Sequence, residues 1–459
     1  MKPNQIGWLG VAQLGLVQMA LGAIVVLTTS TINRVMVVEL ALPAMLPGAL
    51  VALHYALQIL RPRVGHGSDR TMRRKPWIIG GLIVLALGGI LSAVATALMS
   101  INVYVGVALA VVAFIAIGVG VSAAGTALLV LLTKLTPPPR RPAAATIVWL
   151  MMIAGFAITA ILAGKFLDPF SFTRLIVVTM VVCLAALALA LLALSNIDDS
   201  APDVADQPVA HRDRRFSDAL RSTWSDPKAR LFTIFIFLSM LAYSTQDPIL
   251  EPFAGLVFGY TPGQSTALSG LHHSGVFAGM VFVGICATML SGRALGSLRI
   301  WIFTGCLASA VAICGIIVAA LAGSTDSIRY CVFALGLANG VFAIAAIGQM
   351  MSLAGEGGGG REGIRMGLWG AAQGIAFGLG SLSGAIAIDV ARYFVPDNAL
   401  AYSIVFSIEG LLFLVAAALA YRLDGRSFWP GASLARLELP VGAASTLAVR
   451  PLQRGTVNE

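Results

Sequence analysis

Residues 103–132 read VYVGVALAVVAFIAIGVGVSAAGTALLVLL, thirty positions without one charged side chain. An α-helix needs about 20 apolar residues to cross the roughly 30 Å of hydrocarbon in a bilayer. The run does not alternate between apolar and polar residues, as a strand of a membrane β-barrel would. A helix is then the structure that satisfies every backbone group in lipid, so the stretch predicts a membrane-spanning helix.

The rest of the chain repeats this character. Of its 459 residues, 58% are hydrophobic and 11% are charged, and the mean hydropathy is +0.89, which excludes an ordinary soluble domain. Spans are predicted near 12–33, 43–61, 77–99, 103–132, 143–164 and 173–195, then near 230–250, 265–290, 300–322, 328–354, 366–391 and 400–421. The predicted fold is an all-α membrane protein with twelve transmembrane helices in two pseudo-symmetric six-helix halves.

One polar stretch in the middle of the chain sets the predicted domain boundaries. Residues 1–195 form the N-terminal half, 196–229 a cytoplasmic linker, 230–422 the C-terminal half and 423–459 a cytoplasmic tail. In the linker Phe216, Leu220 and Trp224 recur at every fourth position, which is typical of an amphipathic helix on the membrane surface. A solvated linker with incidental apolar residues is the alternative.

The distribution of Lys and Arg predicts the orientation. The N-terminus, the loops after even-numbered spans and the tail lie on one side of the membrane in the twelve-span prediction. These segments contain 25 of the 30 basic residues, and positively charged loops are retained in the cytoplasm. Both termini are therefore predicted to be cytoplasmic. The net charge of +9 follows from this bias and from contact with the anionic lipid bilayer, and does not indicate nucleic-acid binding. No cleavable signal peptide is recognised, so the first helix is expected to remain as an anchor.

Two polar islands interrupt the apolar spans. Asn33, Arg34 and Glu39 form the first, and Gln246, Asp247 and Glu251 the second, with Arg34 and Asp247 213 positions apart and the two glutamates 212 apart. Charge near hydrocarbon is costly without a partner, so the islands are the first candidates for function. An Arg34–Asp247 salt bridge is predicted. Alternatively, Glu39 and Glu251 anchor the periplasmic surface before helix-breaking prolines at Pro43 and Pro252.

Two other patterns are interpreted as structural. The five cysteines all fall in apolar helices without CxxC spacing, as expected of small core side chains rather than a disulfide or metal site. Residues 355–360, GEGGGG, lack the Lys-Ser/Thr of a phosphate-binding loop and are interpreted as a flexible connection. Neither pattern suggests ATP hydrolysis.

The loop between the second and third spans is more specific. It contains Gly65, Asp69 and Arg70 followed by Arg73, Arg74 and Lys75, and resembles the signature loop of the major facilitator superfamily. Thr71-Met72 stands where that signature has glycine. The resemblance implies the major facilitator fold, in which the aspartate pairs with helix ends and the basic residues stabilise one alternating-access state.

Three segments narrow the resemblance. They are Asn33–Leu40, Arg74–Ile78 and Gln246–Gly255, and they are similar to the hallmarks of the PucC/LhaA family, the bacteriochlorophyll-delivery branch of that superfamily. The segments Val25–Thr31 and Arg140–Thr146 resemble the LhaA group, which is linked with light-harvesting complex 1. The resemblance implies an antenna-assembly chaperone in the inner (intracytoplasmic) photosynthetic membrane. The implied cofactor is bacteriochlorophyll. The implied partners are antenna α and β polypeptides, bacteriochlorophyll synthase and the membrane-insertion machinery.

Pigment binding would need a ligand for magnesium and a large apolar surface. His54, His272 and His273 fall within predicted spans and are the candidate ligands, with packed, hydrogen-bonded histidines as the alternative. His66 and His211 fall in predicted cytoplasmic loops. Two other functional classes stay open, a small-solute transporter and a bacteriochlorophyll-synthesis enzyme. Because no Asp-rich diphosphate motif is recognised, a non-enzyme is predicted, and no metal site made by the protein alone.

Overall fold

A computed structural model describes residues 6–61, 74–137, 140–197, 224–289, 297–355 and 362–422. All regular structure within these ranges is helical. Four predicted signature-loop residues, Gly65, Asp69, Arg70 and Arg73, lie outside the described residues. So do most of the linker (198–223), the glycines at 357–360 and the tail from residue 423 onward.

Twelve helices follow one another in the described residues. The first six are α1 (Trp8–Glu39), α2 (Met45–Ala56), α3 (Lys75–Met99), α4 (Val103–Leu135), α5 (Arg141–Leu167) and α6 (Phe172–Ser195). The second six are α7 (Pro227–Phe258), α8 (Pro262–Met289), α9 (Leu298–Leu321), α10 (Thr325–Gly355), α11 (Glu362–Phe394) and α12 (Asn398–Arg422). Eleven of them are long and apolar enough to cross a membrane; α2 has 12 residues, extended by a 3₁₀ turn at Leu57–Leu60. The all-helical twelve-helix prediction is confirmed.

Short polar residues set several helix ends. The side chains of Asn102, Ser171 and Asp226 accept hydrogen bonds from the first-turn amides of α4, α6 and α7. Such caps satisfy donors that have no partner inside the helix. At the other end of α7, Gly259 adopts a left-handed conformation with φ of 68°, which glycine tolerates without steric cost.

The first helix of each half is longer than predicted. α1 continues past Arg34 to Glu39 through two π-helical segments, Leu27–Thr31 and Val35–Glu39. α7 continues to Phe258 with Pro248 and Pro252 inside it. Pro43 does lie in the connection after α1, but the prediction that Pro252 breaks its helix is wrong. Its missing amide is compensated from a neighbouring helix, as described below.

The spacing of the two islands differs from the structural repeat. α1 and α7 are both 32 residues long, and both their first residues (Trp8, Pro227) and their last (Glu39, Phe258) are 219 positions apart. The islands recur at 212–213 positions. Compared with the first island in α1, the second island therefore lies six to seven residues nearer to the N-terminal end of α7. At 1.5 Å per residue this is a shift of about 10 Å. The islands are therefore not equivalent positions of the two halves.

Two large clusters of buried apolar side chains form the core. One is drawn from α1–α6, and the other is drawn mainly from α7–α12 with a few residues of α1 and α5. Helix α5 packs on α8, and α2 packs on α11. Glycine allows the first approach, because a Cβ at Gly164 would collide with the backbone at Gly263. Close approach through small residues is typical of membrane helices.

Candidate functional site

Arg34 is neutralised within its own helix. Its side chain is 2% exposed, and it forms a salt bridge with Glu39. Side chains five residues apart point in different directions on an α-helix of 3.6 residues per turn, but the wider π turn at Val35–Glu39 brings them onto one face. The second guanidinium nitrogen donates to the Tyr260 carbonyl at 2.7 Å. The π segment is thus what lets α1 carry this charge.

The predicted Arg34–Asp247 salt bridge is wrong. Glu39 takes the guanidinium, and Arg34 lies beside Gly255 and Tyr260, two turns or more beyond Asp247 along α7. The reason is the register described above, since the two islands are offset by six to seven residues. Within the described residues Asp247 has no salt bridge.

The two prolines of α7 each release a backbone carbonyl. Proline has no amide hydrogen, so the carbonyl four residues before it loses its donor within the helix. Pro252 releases the Pro248 carbonyl, which accepts from Asn33 Nδ2 at 2.6 Å. Pro248 releases the Ser244 carbonyl, and Ser381 Oγ of α11 lies 3.5 Å from it. Neighbouring helices α1 and α11 therefore supply what the prolines remove.

Glu251 is buried among hydroxyl groups. Its carboxylate accepts from Ser30 Oγ at 2.5 Å and from Thr266 Oγ1 at 3.2 Å, and Thr266 lies 3.1 Å from Thr31 Oγ1. Glu251 is 1% exposed, and its carboxylate is held by the hydroxyl groups of α1 and α8. We call Ser30, Thr31, Asn33, Arg34, Glu251 and Thr266 the α1–α7–α8 polar cluster. It joins the first half of the chain to the second.

His272 is held in a separate polar network. The amides of Gln246 and Asn339 lie 3.4 and 3.5 Å from its Nε2, and Ser309 Oγ donates to Asn339 Oδ1 at 2.8 Å. Because both amide groups are donors, Nε2 acts as the acceptor and its lone pair is directed at them. The Nε2 atom of His272 is therefore already occupied by the two amide groups.

His273 has the opposite arrangement. Its Nδ1 lies 2.9 Å from the Ser269 carbonyl, and a carbonyl only accepts, so Nδ1 carries the hydrogen. Its Nε2 then bears the lone pair and makes no hydrogen bond to the described residues. The ring meets Phe156 of α5 edge-on at a centroid distance of 5.0 Å. Metal-binding histidines are usually fixed in this way, with the other ring nitrogen donating to a carbonyl or carboxylate.

His54 and its neighbours form an aromatic row. His54 is buried, and its Nδ1 has no hydrogen-bond partner among the described residues. Its ring lies 4.8 Å from Tyr55, which stacks on Phe377 at 5.3 Å, and Phe377 lies 5.9 Å from Tyr243. The row runs from α2 through α11 to α7. The structure thus separates His54, which lies in this row, from His272 and His273, which lie in α8 with ring centroids 5.2 Å apart.

Three acidic residues were not singled out in the sequence. Asp168, after α5, accepts from Thr261 Oγ1 at 2.6 Å and from the Gly263 amide at 3.2 Å, at the start of α8. Asp389 of α11 accepts from the Ala44 and Met45 amides at 2.9 and 2.7 Å, at the start of α2. Each half thus caps a helix of the other, and we call the contacts of Asp168 and Asp389 the reciprocal clasps.

The third acidic residue, Glu409, is buried in α12. A lone carboxylate in an apolar run was the signal available for it.

Only part of the signature loop can be placed. Arg74 is buried immediately before α3, and Lys75 is the first residue of that helix. Among the described residues there is no group of three or more His, Cys, Asp or Glu that could hold a metal ion.

The fold is that of the major facilitator transporters. A bacterial homologue of the lysosomal transporter Spinster, in an inward-facing and unoccupied conformation, matches with a TM-score of 0.63 and 14% identity, over 92% of this chain and 97% of that one. The nucleoside transporter NupG, in the form of a point mutant, matches with a TM-score of 0.66 and 12% identity, over 90% and 99%. At such identities the likeness concerns the fold alone.

Sequence comparison defines the family. The model described as PUCC protein matches residues 31–428, so the chain belongs to the PucC family. It is 52% identical over 417 residues to the bacteriochlorophyll synthase 44.5 kDa chain of Rhodobacter capsulatus, covering 90% of this chain and 95% of the relative. It is 30% identical to protein PucC of the same species, over 90% and 91%. The predicted family is confirmed.

Proposed function

We propose that this protein assists the assembly of bacteriochlorophyll antenna complexes by holding bacteriochlorophyll and passing it to newly inserted antenna polypeptides. One observation carries the proposal: His273, in a member of the PucC family, presents an unshared Nε2 on an imidazole fixed by the Ser269 carbonyl. The other two candidate histidines lack this arrangement. The proposed role is that of a chaperone, and no chemical transformation is assigned to the protein.

The residues around His273 suit a magnesium tetrapyrrole. A neutral imidazole nitrogen can ligate magnesium, and an aromatic ring such as Phe156 provides apolar contact for a macrocycle. His273 is 8% exposed, whereas His54 and His272 are each 1% exposed. Bacteriochlorophyll, when bound, supplies the metal and the absorbing macrocycle. The protein holds its ring nitrogen in position and excludes water.

The proposed partners follow from the family and from the segments quoted above. Antenna α and β polypeptides would receive the pigment, and those of light-harvesting complex 1 are favoured by the likeness of Val25–Thr31 and Arg140–Thr146 to the LhaA group. Bacteriochlorophyll synthase and the insertion machinery would act beside it. We place the protein in the inner photosynthetic membrane with both termini in the cytoplasm, on the strength of the charge bias.

A second candidate is a subunit that acts in bacteriochlorophyll synthesis. It is favoured by one observation, the printed name of the relative that is 52% identical, a bacteriochlorophyll synthase chain. A third is transport of a small solute, favoured by the likeness in fold to transporters. The three candidates predict different phenotypes in one strain.

The test is a deletion of the gene in its phototrophic host, grown under low light, with wild-type and His273→Phe copies returned on a plasmid. The proposal predicts a reduced light-harvesting 1 absorption band, while bacteriochlorophyll is still made and reaction centres still form. The His273→Phe copy should fail to restore the band at normal protein abundance. Loss of all bacteriochlorophyll would support the synthesis role, and an undiminished core antenna would support solute transport.

A further inference from the structure

Glu409 in the middle of α12 is a buried carboxyl group without a partner. It is 0% exposed, and neither side-chain oxygen has a hydrogen-bond partner among the described residues. Most buried polar atoms in proteins are paired, so each exception requires an explanation. An ionisable side chain inside a membrane bundle is a candidate functional site by default.

Its closest acidic neighbour is Asp247 of α7. Helices α7 and α12 run in opposite directions, and Phe253 and Phe406 fix their register with ring centroids 5.0 Å apart. Glu409 follows Phe406 by three residues and is therefore level with Leu250, one turn from Asp247. Asp247 and Glu409 thus lie about one helical turn apart along the packed helices α7 and α12.

No positive side chain neutralises this pair. In the part of the chain that the structure describes, neither carboxyl has a Lys, Arg or His nitrogen within 4.0 Å. The other titratable groups near the pair include three phenols and one cation. Tyr55 of α2 and Tyr243 of α7 lie near Asp247, Arg61 lies near Tyr55, and Tyr402 lies two turns from Glu409 on α12. Asp247 itself is only partly buried, whereas Glu409 is fully buried.

We propose that Asp247 and Glu409 form a binding site for one small monovalent cation, either a proton or an alkali-metal ion. Two unpaired carboxylates one helical turn apart repel, and each is poorly solvated in the bundle, so one positive charge relieves both costs. Asp247 is the accessible member that exchanges the ion, and Glu409 is the buried member that retains it. The site does not involve His273 and does not depend on pigment binding.

The probe is dicyclohexylcarbodiimide, which enters apolar sites and reacts with a protonated carboxyl group. The carboxyl proton passes to one carbodiimide nitrogen and a carboxylate oxygen bonds to the central carbon. The O-acylisourea then rearranges to a stable N-acylurea that retains every atom of both reactants. The full-length protein in mild detergent would be treated at one fixed pH, in choline chloride or in sodium chloride. It would then be digested and sequenced by mass spectrometry.

The site predicts an adduct at Glu409 or Asp247 in choline chloride. Equal labelling in sodium chloride identifies the proton as the ligand, and protection by sodium identifies an alkali-metal ion. Glu409→Gln should lose the α12 adduct completely while its size-exclusion profile is unchanged, and Asp247→Asn should lose the α7 adduct. Glu39, which is paired with Arg34, is the internal reference and should stay unlabelled. Wild-type protein that is unlabelled at both positions in both salts would overturn the proposal, whatever the behaviour of the variants.

Discussion

The islands on α1 and α7 accommodate polar groups in different ways. On α1 a π turn folds Glu39 under Arg34, so the charge is neutralised within the helix. On α7 two prolines leave the Ser244 and Pro248 carbonyls without donors, and Glu251 is a buried carboxylate. The hydrogen-bond partners of these three groups come from other helices. Asn33 and Ser30 belong to α1, and Ser381 belongs to α11. The charge of the α1 island is neutralised within its own helix, whereas the buried carboxylate and the free carbonyls of the α7 island depend on groups from other helices.

The presence or absence of a hydrogen-bond or charge partner distinguishes structural polar groups from groups that can accept a ligand. Polar atoms with partners in the described residues hold the helices together, as in the α1–α7–α8 polar cluster. Groups that keep an unshared lone pair or an unpaired charge, His273 Nε2 and the Asp247–Glu409 pair, are the places where something else can bind. Substitutions in the first set should change stability, and substitutions in the second should change binding.

The largest effect on stability is expected for Glu39→Ala. It leaves the buried Arg34 guanidinium with the Tyr260 carbonyl as its remaining partner. We expect a loss of about 2–3 kcal/mol, below the roughly 3–5 kcal/mol typical of a fully buried pair, because the Glu39 side chain is 31% exposed. Thermal unfolding in detergent, followed by size-exclusion chromatography, measures it. Glu39→Gln keeps an acceptor and should lose less; an unchanged midpoint in Glu39→Ala would contradict self-neutralisation of α1.

A double-mutant cycle tests the dependence of α7 on α1. Asn33→Ala leaves the Pro248 carbonyl without a donor and should cost about 1–3 kcal/mol. Pro252→Ala restores an amide four residues after that carbonyl, so the double variant should recover part of the loss. The measurement is the same thermal midpoint in all four proteins. Strictly additive effects would show that Asn33 does not replace the missing amide.

Removing either of the reciprocal clasps should lower stability by a similar amount. The two clasps occupy equivalent positions in the two halves, whereas the two islands do not. Asp168→Ala removes the acceptor at the start of α8, and Asp389→Ala removes it at the start of α2. Each should cost about 0.5–2 kcal/mol, as for other capping residues. Hydrogen exchange of the Gly263 and Met45 amides checks each clasp separately. If one variant destabilised the protein and the other did not, the clasps would not be equivalent.

The smallest effect is expected for Ser381→Ala. Its hydroxyl lies 3.5 Å from the Ser244 carbonyl, compared with 2.6 Å for Asn33 and the Pro248 carbonyl. A contact of that length is at the limit of a hydrogen bond, so we expect a loss below about 0.5 kcal/mol, typical of weak sites. A loss as large as that of Asn33→Ala would show that the two proline-released carbonyls are satisfied equally well.

Hydropathy alone predicted the helices well, because a membrane span must satisfy its backbone internally and leaves a long apolar run in the sequence. It did not predict where α1 and α7 end. Pro252 and the polar residues before Glu39 look like helix terminators when read in isolation. Arg34 and Glu39 are accommodated by a π turn that hydropathy does not reveal, and Pro252 is accommodated by a contact between Asn33 and Pro248, which are more than 200 positions apart.

The candidate site was predicted in part. The islands are polar groups that require partners, but the 213-residue spacing of Arg34 and Asp247 does not match the 219-residue repeat of α1 and α7, so the spacing predicts the wrong partner. The three membrane histidines could not be ranked from the sequence, since tautomer and accessibility depend on Ser269, Gln246 and Asn339. The reciprocal clasps join distant loops, which no local pattern reveals.

The central claim is that the open Nε2 of His273 holds the magnesium of bacteriochlorophyll. The most direct measurement is the absorption spectrum of the protein purified in mild detergent from a bacteriochlorophyll-producing host, as wild type, His273→Phe and His54→Phe. His54→Phe is the matched control, because its ring is buried in another helix. The account predicts a far-red pigment band in the wild type and in His54→Phe, and its loss in His273→Phe at equal protein recovery. An equal amount of pigment per protein in His273→Phe and the wild type would contradict it, as would a colourless wild type.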